Sequence, residues 1–133
     1  MHSPTCLDQQ IEDVGNAQRS AVQSYIRLIF VHLLKITSVT KPELRAKRHG
    51  EIARFHSEMT TRFTNAMRQD IDVQGLWQSA FREARFDLRS YGQDITIPPK
   101  SPCPFELDDL MVDEFDSEAA LARIEPLIPS RAD

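Results

Sequence analysis

The chain has 133 residues, of which 41% are hydrophobic and 27% charged, and its formal net charge is −4 at pH 7. These values predict a globular protein that can bury a core without disulfide staples. No apolar run is long enough for a membrane helix, and residues 1–13 lack the basic and apolar regions of a signal peptide. Two distant cysteines favour a reducing cytoplasm, although they could also pair.

The charge is distributed unevenly along the sequence. Residues 19–68 hold ten Lys/Arg and three acids, whereas residues 101–133 hold two Lys/Arg and nine acids. Such halves can indicate a nucleic-acid surface or an acidic tail. They can equally attract each other within one fold, and we favour this interpretation because the charges alternate with apolar positions.

The most apolar stretch, residues 21–36, predicts a central helix. Its apolar residues recur at spacings of three and four, at Val22, Ile26, Ile29, Leu33 and Ile36. Further apolar residues widen this face, which is typical of a helix buried among others. The spacing does not determine where this helix begins. Asp8 is a candidate N-cap, and Gly15 and Asn16 can bend or interrupt the helix before residue 17.

Two more long helices are predicted. The second begins at a capping box, Thr40 to Glu43 with Pro42 in the first turn, and runs to about Arg68. The third runs from Val73 to Tyr91, and Gly92 suits a left-handed C-terminal cap. The buried stripe of the third helix is predicted to be Val73, Leu76, Trp77, Ala80, Ala84 and Leu88, with Phe81 and Tyr91 beside it.

The character of the chain changes at residues 95–104, which we call the strap. Four prolines exclude a helix interior there, and Ile95 and Ile97 suggest that the strap packs across the helices. Pro104 can open a short helix. A last helix is expected from Glu118 to Glu125, capped by Asp116 or Ser117, before a frayed end. The predicted fold class is therefore all-α: a small helical bundle of three main helices plus the strap and one or two short C-terminal helices.

Three motifs carry a resemblance. The first is Ile11-Glu12-x-Val14-Gly15-x-x-x-Arg19-x-Ala21-Val22-x-Ser24, followed by His32-Leu33-Leu34-Lys35. The second is Ala80-Phe81-x-x-Ala84-Arg85, and the third is Cys103-Pro104-Phe105 with Leu107, Leu110 and Asp113-Glu114-Phe115. Together they resemble the bacterial domain of unknown function 29 family over about residues 8–116. The resemblance implies an all-α bundle in a bacterial cytoplasm and no activity, with residues 1–116 as one domain and residues 117–133 as a C-terminal extension.

The chain departs from the family pattern in three places. Ile36 and Arg48 stand where tryptophans are usual, and a further N-terminal helix usual in the family is lacking. If that helix covers the central one in relatives, this chain exposes an apolar strip. Self-association, or binding of another helical protein, is then expected.

Three histidines are candidates for chemistry. His32 is either part of a site or a structural residue that ties its helix to a loop, and we favour the second because a buried imidazole needs hydrogen-bond partners. His49 and His56 share one side of the second helix, so a three-histidine metal site with His32 is conceivable. Neither Glu51 nor Glu58 is expected on that side, and we predict no metal site.

Cys103 and Lys35 complete the set of candidate residues, His32, Lys35 and Cys103. A helix N-terminus lowers the pKa of a thiol, so Cys103 is a possible nucleophile. A packed, inert cysteine is the favoured interpretation. We assign no catalytic, cofactor-binding or metal residue.

The predicted function is a non-catalytic protein-interaction module. The alternative is a nucleic-acid-associated protein that uses the basic residues of the second helix, and the third is an enzyme with a Cys/His site. The basic residues in question are Arg45, Lys47, Arg48, Arg54, Arg62 and Arg68. We expect them to be neutralised by Asp108, Asp109, Asp113 and Glu114.

Overall fold

A computed structural model describes the backbone of residues 5–129 and the side chains of residues 15–129. All regular elements in that part of the chain are helical, which confirms the predicted all-α class. They are α1 (Thr5–Ile36), α2 (Pro42–Arg62), α3 (Val73–Arg89), α4 (Leu107–Leu110) and α5 (Ser117–Ile124), with 3-10 turns at Asn65–Asp70 and Glu125–Leu127. None of the described helices is long and apolar enough to cross a membrane.

Helix α1 is the centre of the core, as its apolar spacing predicts. Its residues on the predicted face are all 0% exposed: Val22, Ile26, Ile29, Leu33 and Ile36. The helix already includes Thr5, so the expected start at Asp8 is wrong, and it continues through Gly15 and Asn16 without interruption. The side chains of Ile11 and Val14 lie outside the described residues. From residue 15 to residue 36 no large apolar side chain of α1 is exposed, so the apolar strip expected on the central helix is not found in this part of the chain.

Helices α2 and α3 flank α1 and run in opposite directions. Tyr25 contacts Phe55 and the later His32 contacts the earlier Glu51, so α2 is antiparallel to α1. Lys35 pairs with Asp87 after Arg27 pairs with Glu83, so α3 is parallel to it. The result is an up-down-up bundle in which both flanking helices pack against the central one.

The strap and the C-terminal helices close the core on the remaining side. Phe105 stacks on Phe30, with their ring centroids 5.9 Å apart, and Trp77 meets Phe30 edge to face at 5.4 Å. Ala120, Leu121 and Ile124 of α5 are buried in the same core. The C-terminal residues that lie beyond residue 129, where fraying is predicted, lie outside the described residues.

Polar side chains of α3 hold the strap in place, and we call these contacts the clamp. The side chain of Gln74 both donates to the carbonyl of Cys103 at 3.2 Å and accepts from its amide at 2.9 Å. Trp77 Nε1 and Gln78 Nε2 donate to the carbonyl of Ser101 at 3.1 and 3.3 Å. A proline-rich segment forms no ladder of its own, so these bonds satisfy its buried backbone groups.

Helix α2 ends earlier than its apolar pattern predicts. The helix stops at Arg62, and Phe63 is already extended. The hydroxyls of Thr60 and Thr61 both bond back to the carbonyl of Ser57. Such bonds compete with continuation of a helix, and β-branched residues favour its end.

Of the two predicted caps, the one at the start of α2 is wrong and the one at the end of α3 is confirmed. The capping box at Thr40 is wrong, because Pro42 is the first helical residue and Lys41 is the N-cap. Gly92 is confirmed: its φ is +74°, which glycine adopts without strain. The amides of Gly92 and Gln93 bond to the carbonyls of Arg89 and Leu88, which is a Schellman motif.

Candidate interaction surface

The outer face of α3 carries an exposed aromatic residue surrounded by arginines. The inner face is buried through Trp77, Ala80, Phe81, Ala84 and Leu88. On the other face Phe86 is 77% exposed, although phenylalanine is normally an interior residue. We call the set Arg82, Arg85, Phe86 and Arg89 the arginine–phenylalanine patch.

A second exposed aromatic residue, Tyr91, follows the end of α3. Tyr91 is 81% exposed, so its expected position beside the buried stripe is wrong. The helix ends at Arg89, and the Schellman turn that follows redirects the chain at Gly92, so Tyr91 does not continue the buried face of α3. Two large aromatic side chains are therefore exposed on one end of the helix.

One carboxylate, that of Asp94, neutralises part of the positive charge of the patch. Asp94 lies 3.6 Å from Arg85 Nε and 3.3 Å from Arg89 Nη2. The bond from the backbone amide of Ile95 and the two guanidinium groups lower the pKa of Asp94, so it stays ionised at neutral pH. Three arginines against this carboxylate leave the patch with a formal charge of +2.

His32 is enclosed between α1 and α2. Arg48 Nη1 donates to Nδ1 at 3.1 Å, and Nε2 lies 3.1 Å from Glu51 Oε2. Burial lowers the pKa of His32 to about 4 despite Glu51, and the nearby cations act in the same direction as burial. A neutral ring with its proton on Nε2 fits both contacts.

This geometry revises the sequence interpretation of His32 in two respects. The residue ties α1 to a second helix, whereas a loop was expected. His32 also does not lie opposite His49 and His56: its partner on α2 is Glu51, whereas the two histidines contact Ser117 and Leu110. Both ring nitrogens are occupied by protein groups, so no nitrogen of His32 remains for a substrate or a metal.

Lys35 follows His32 by one turn of α1 but serves a different neighbour. Its Nζ donates to Asp87 Oδ2 of α3 at 2.8 Å. Arg27 pairs with Glu83 of α3, and Arg19 lies 3.5 Å from Asp70. The three cations thus form a row of ion pairs along one side of α1, which fixes how α1 lies against its neighbours.

Cys103 shares no contact partner with His32 or Lys35, and its thiol is poorly reactive. It does not open a helix, because α4 begins at Leu107 with Glu106 as its N-cap. Burial raises the pKa of the Cys103 thiol to about 11, so little of it is thiolate at neutral pH. The three candidate residues of the sequence analysis therefore do not form one site.

The remaining histidines also face different partners. His56 Nε2 bonds to the carbonyl of Leu110 at 2.8 Å, and its ring stacks on Phe115. His49 Nδ1 lies 2.5 Å from Ser117 Oγ. Among the described residues no group of three or more His, Cys, Asp or Glu side chains is placed to hold a metal ion.

His49, Ser117 and Glu118 do form a serine–histidine–acid contact. Nε2 of His49 lies 3.0 Å from Glu118 Oε1, at an angle too poor for a hydrogen bond. Acyl transfer also needs donors for an oxyanion, and the first amides of α5 follow Ser117 in the chain. Asp116 Oδ1 already accepts from the amides of Glu118 and Ala119, so these two amides are not free to act as such donors.

Most of the basic residues of α2 are engaged within the protein, whereas Lys47 is exposed. Arg45 donates to the carbonyls of Ile36 and Val39 at the end of α1. Arg48 bonds to His32, and Arg54 lies over the ring of Phe55.

Two further cations have carboxylate partners. Arg62 pairs with Glu58 within α2, and Arg68 pairs with Asp108. Only Asp108 of the four expected acids performs the neutralising role, since Asp109 pairs with Arg123 and the exposed Asp113 and Glu114 have no ion pair among the described side chains.

The family assignment rests on a direct match. The model of the family described as "Domain of unknown function DUF29" matches residues 5–116. The chain belongs to the DUF29 family. This confirms the resemblance read from the three motifs, and the match ends where α5 begins.

A solved structure with a similar fold is an alpha-helical protein of unknown function from Rhodospirillum rubrum. It is 25% identical, with a TM-score of 0.77, and the match covers 89% of this DUF29 chain and 75% of the other chain. No curated protein matches the chain.

The DUF29 motifs map onto packing, and they do not reveal the patch. His32, Lys35 and Phe105 bond or stack between elements, as described above. Sequence reasoning missed Phe86, although the signal was present: it lies midway between the buried Ala84 and Leu88, on the opposite face of the helix.

Proposed function

We propose that this DUF29 protein is a non-catalytic interaction module that binds another protein through the arginine–phenylalanine patch. The observation that carries the proposal is the 77% exposure of Phe86 among three arginines. Aromatic residues and arginine are enriched where protein interfaces concentrate their binding energy. Burying such a ring against a partner recovers the apolar surface that the fold leaves in water.

The charge of the patch favours a partner with carboxylates. Guanidinium groups bind carboxylates through paired, charge-assisted hydrogen bonds. A partner with one or two acids beside an apolar recess matches a formal charge of +2 and one central ring. The family match, and the relative from Rhodospirillum rubrum, support a bacterial setting for this role. The low cysteine content supports a cytoplasmic one.

A nucleic acid is the second candidate partner, because arginine beside exposed aromatic rings also suits stacked bases. Stable phosphate binding, however, uses many cations at once. The arginines of α2 would have to leave their internal contacts to contribute. The protein partner is therefore the function that we advance.

Site-specific photo-cross-linking tests this proposal directly. A benzophenone derivative of phenylalanine replaces Phe86 in cells that naturally make the protein, and the matched control carries it at Leu44, which is 46% exposed on α2. We expect a discrete cross-linked protein from position 86 and none from position 44. Cross-linking to nucleic acid, or none from position 86, would contradict the proposal.

A further inference from the structure

A recess whose charge is opposite to that of the arginine–phenylalanine patch lies between α4 and α5. It has a volume of about 220 Å³ and an apolar floor made by Phe105, Val112 and Phe115. Its rim carries three aspartates, Asp108, Asp109 and Asp116. We call this the aspartate-rimmed recess.

The recess is apolar enough, and large enough, for a phenyl ring. Val112 is 40% exposed there, so part of the floor is open to solvent. An engineered apolar cavity of about 150 Å³ in another protein binds benzene. A benzyl side chain that entered from outside would meet apolar side chains within the recess and polar ones around it.

The charge of the rim is opposite to that of the arginine–phenylalanine patch. Three aspartates and Arg123 give the recess a formal charge of −2, and Arg68, which pairs with Asp108, brings the total to −1. Asp109 is held ionised, because bonds from Arg123 and the amide of Glu106 lower its pKa. The Asp108 side chain is 77% exposed, so it can still meet a second guanidinium.

We infer that the recess receives Phe86 of a second copy of this chain, with the arginines of that copy against the aspartates of the rim. The inference rests on the proposed function and names the partner of the same patch. Phe86, which we call the knob, lies on α3, whereas the recess lies between α4 and α5. The two halves of the contact are therefore on different faces of the protein. Such a contact continues as a chain or closes into a ring.

The contact is small. One ring and a few ion pairs bury less than the roughly 1,000 Å² of a stable interface. We therefore expect weak, reversible association that increases from micromolar to millimolar protein. Phe86 occupies the centre of the contact, so Phe86→Ala should weaken association by about thirtyfold, as for a residue that dominates an interface.

Two variants that each spoil one half of the contact provide the decisive test. Phe86→Ala removes the knob. Ala119→Arg fills the recess with a cation; Ala119 is exposed in α5, and arginine is a good helix former. The control is Ala53→Arg, an exposed position of α2, and circular dichroism checks that each variant is folded.

Sedimentation velocity of the purified proteins gives the readout. We expect wild type and Ala53→Arg to associate with increasing concentration, and Phe86→Ala and Ala119→Arg each to remain monomeric. An equimolar mixture of those two should form a heterodimer, because one copy supplies the recess and the other the knob. A monomeric wild type, a Phe86→Ala that associates like wild type, or a mixture that stays monomeric would each overturn the inference.

The two proposals fail separately. A monomeric wild type together with a different protein cross-linked at position 86 overturns self-docking and keeps the interaction module. Absence of any cross-link from position 86 overturns both. A cross-linked band of twice the mass of the chain supports both.

Discussion

Replacing His32 with glutamine should remove a specific source of acid sensitivity from the fold. Burial lowers the pKa of His32 from 6.5 to about 4 in the folded protein, while Glu51 opposes the shift. The unfolded chain therefore binds a proton at a higher pH than the folded one. The stabilisation from a neutral His32 is complete above pH 6.5 and is lost as the pH falls towards about 4. For this group alone the loss between pH 8 and pH 5 is about 2 kcal/mol.

Urea unfolding at pH 8 and pH 5 measures the effect, with the single tryptophan, Trp77, as the fluorescent probe. Glutamine cannot titrate, so the free energy of unfolding of His32→Gln should fall by about 2 kcal/mol less than that of wild type over this range. The variant starts from a lower stability because Arg48 and Glu51 lose a partner. The other titrating groups are common to both proteins and cancel in the difference. Equal losses for the two proteins would refute a buried, neutral His32.

Two further predictions concern contacts that fix the ends of elements. Arg45→Glu should lower the free energy of unfolding by about 2 kcal/mol, because it replaces a cation bonded to two carbonyls at the end of α1. The control, Lys47→Glu at an exposed position, should change this free energy by less than about 0.5 kcal/mol. Equal effects of the two substitutions in urea titrations would show that the contact of Arg45 is unimportant. Gln74→Ala should lower the free energy of unfolding by about 1–2 kcal/mol, since the strap loses two hydrogen bonds. In a Cys6→Ser background it should also speed chemical labelling of the Cys103 thiol. An unchanged labelling rate would argue against the clamp.

The long helices could be predicted because local patterns determine them. The spacing of Val22, Ile26 and Leu33 fixes which face of α1 is buried, whatever covers it. Gly92 announces the end of α3, because a positive φ at that point suits glycine alone. The end of α2 could not be read from apolar spacing, since Phe63 continues the stripe while the threonine hydroxyls before it favour a stop.

The site could be predicted only in part, because its geometry is set by contacts between distant elements. His32 was identified as buried and in need of partners, but which helix supplies them depends on the register of α2 against α1. Cys103 was expected at a helix start, and the capping box of Glu106 moved that start along the chain. Phe86 lies on the outer face of α3, about which the apolar spacing of the buried stripe makes no prediction.

The clamp on the strap also bears on the order in which the protein can fold. Phe30 lies early in the sequence, and Phe105, which covers it, comes after all three long helices. During synthesis, the side of Phe30 that Phe105 covers therefore stays open until the strap and Phe105 have both been made. Contacts so distant in sequence slow folding, and uncovered apolar surface promotes aggregation during the delay. Gln74 and Trp77, which are already in place on α3, provide the strap with ready partners as soon as it leaves the ribosome.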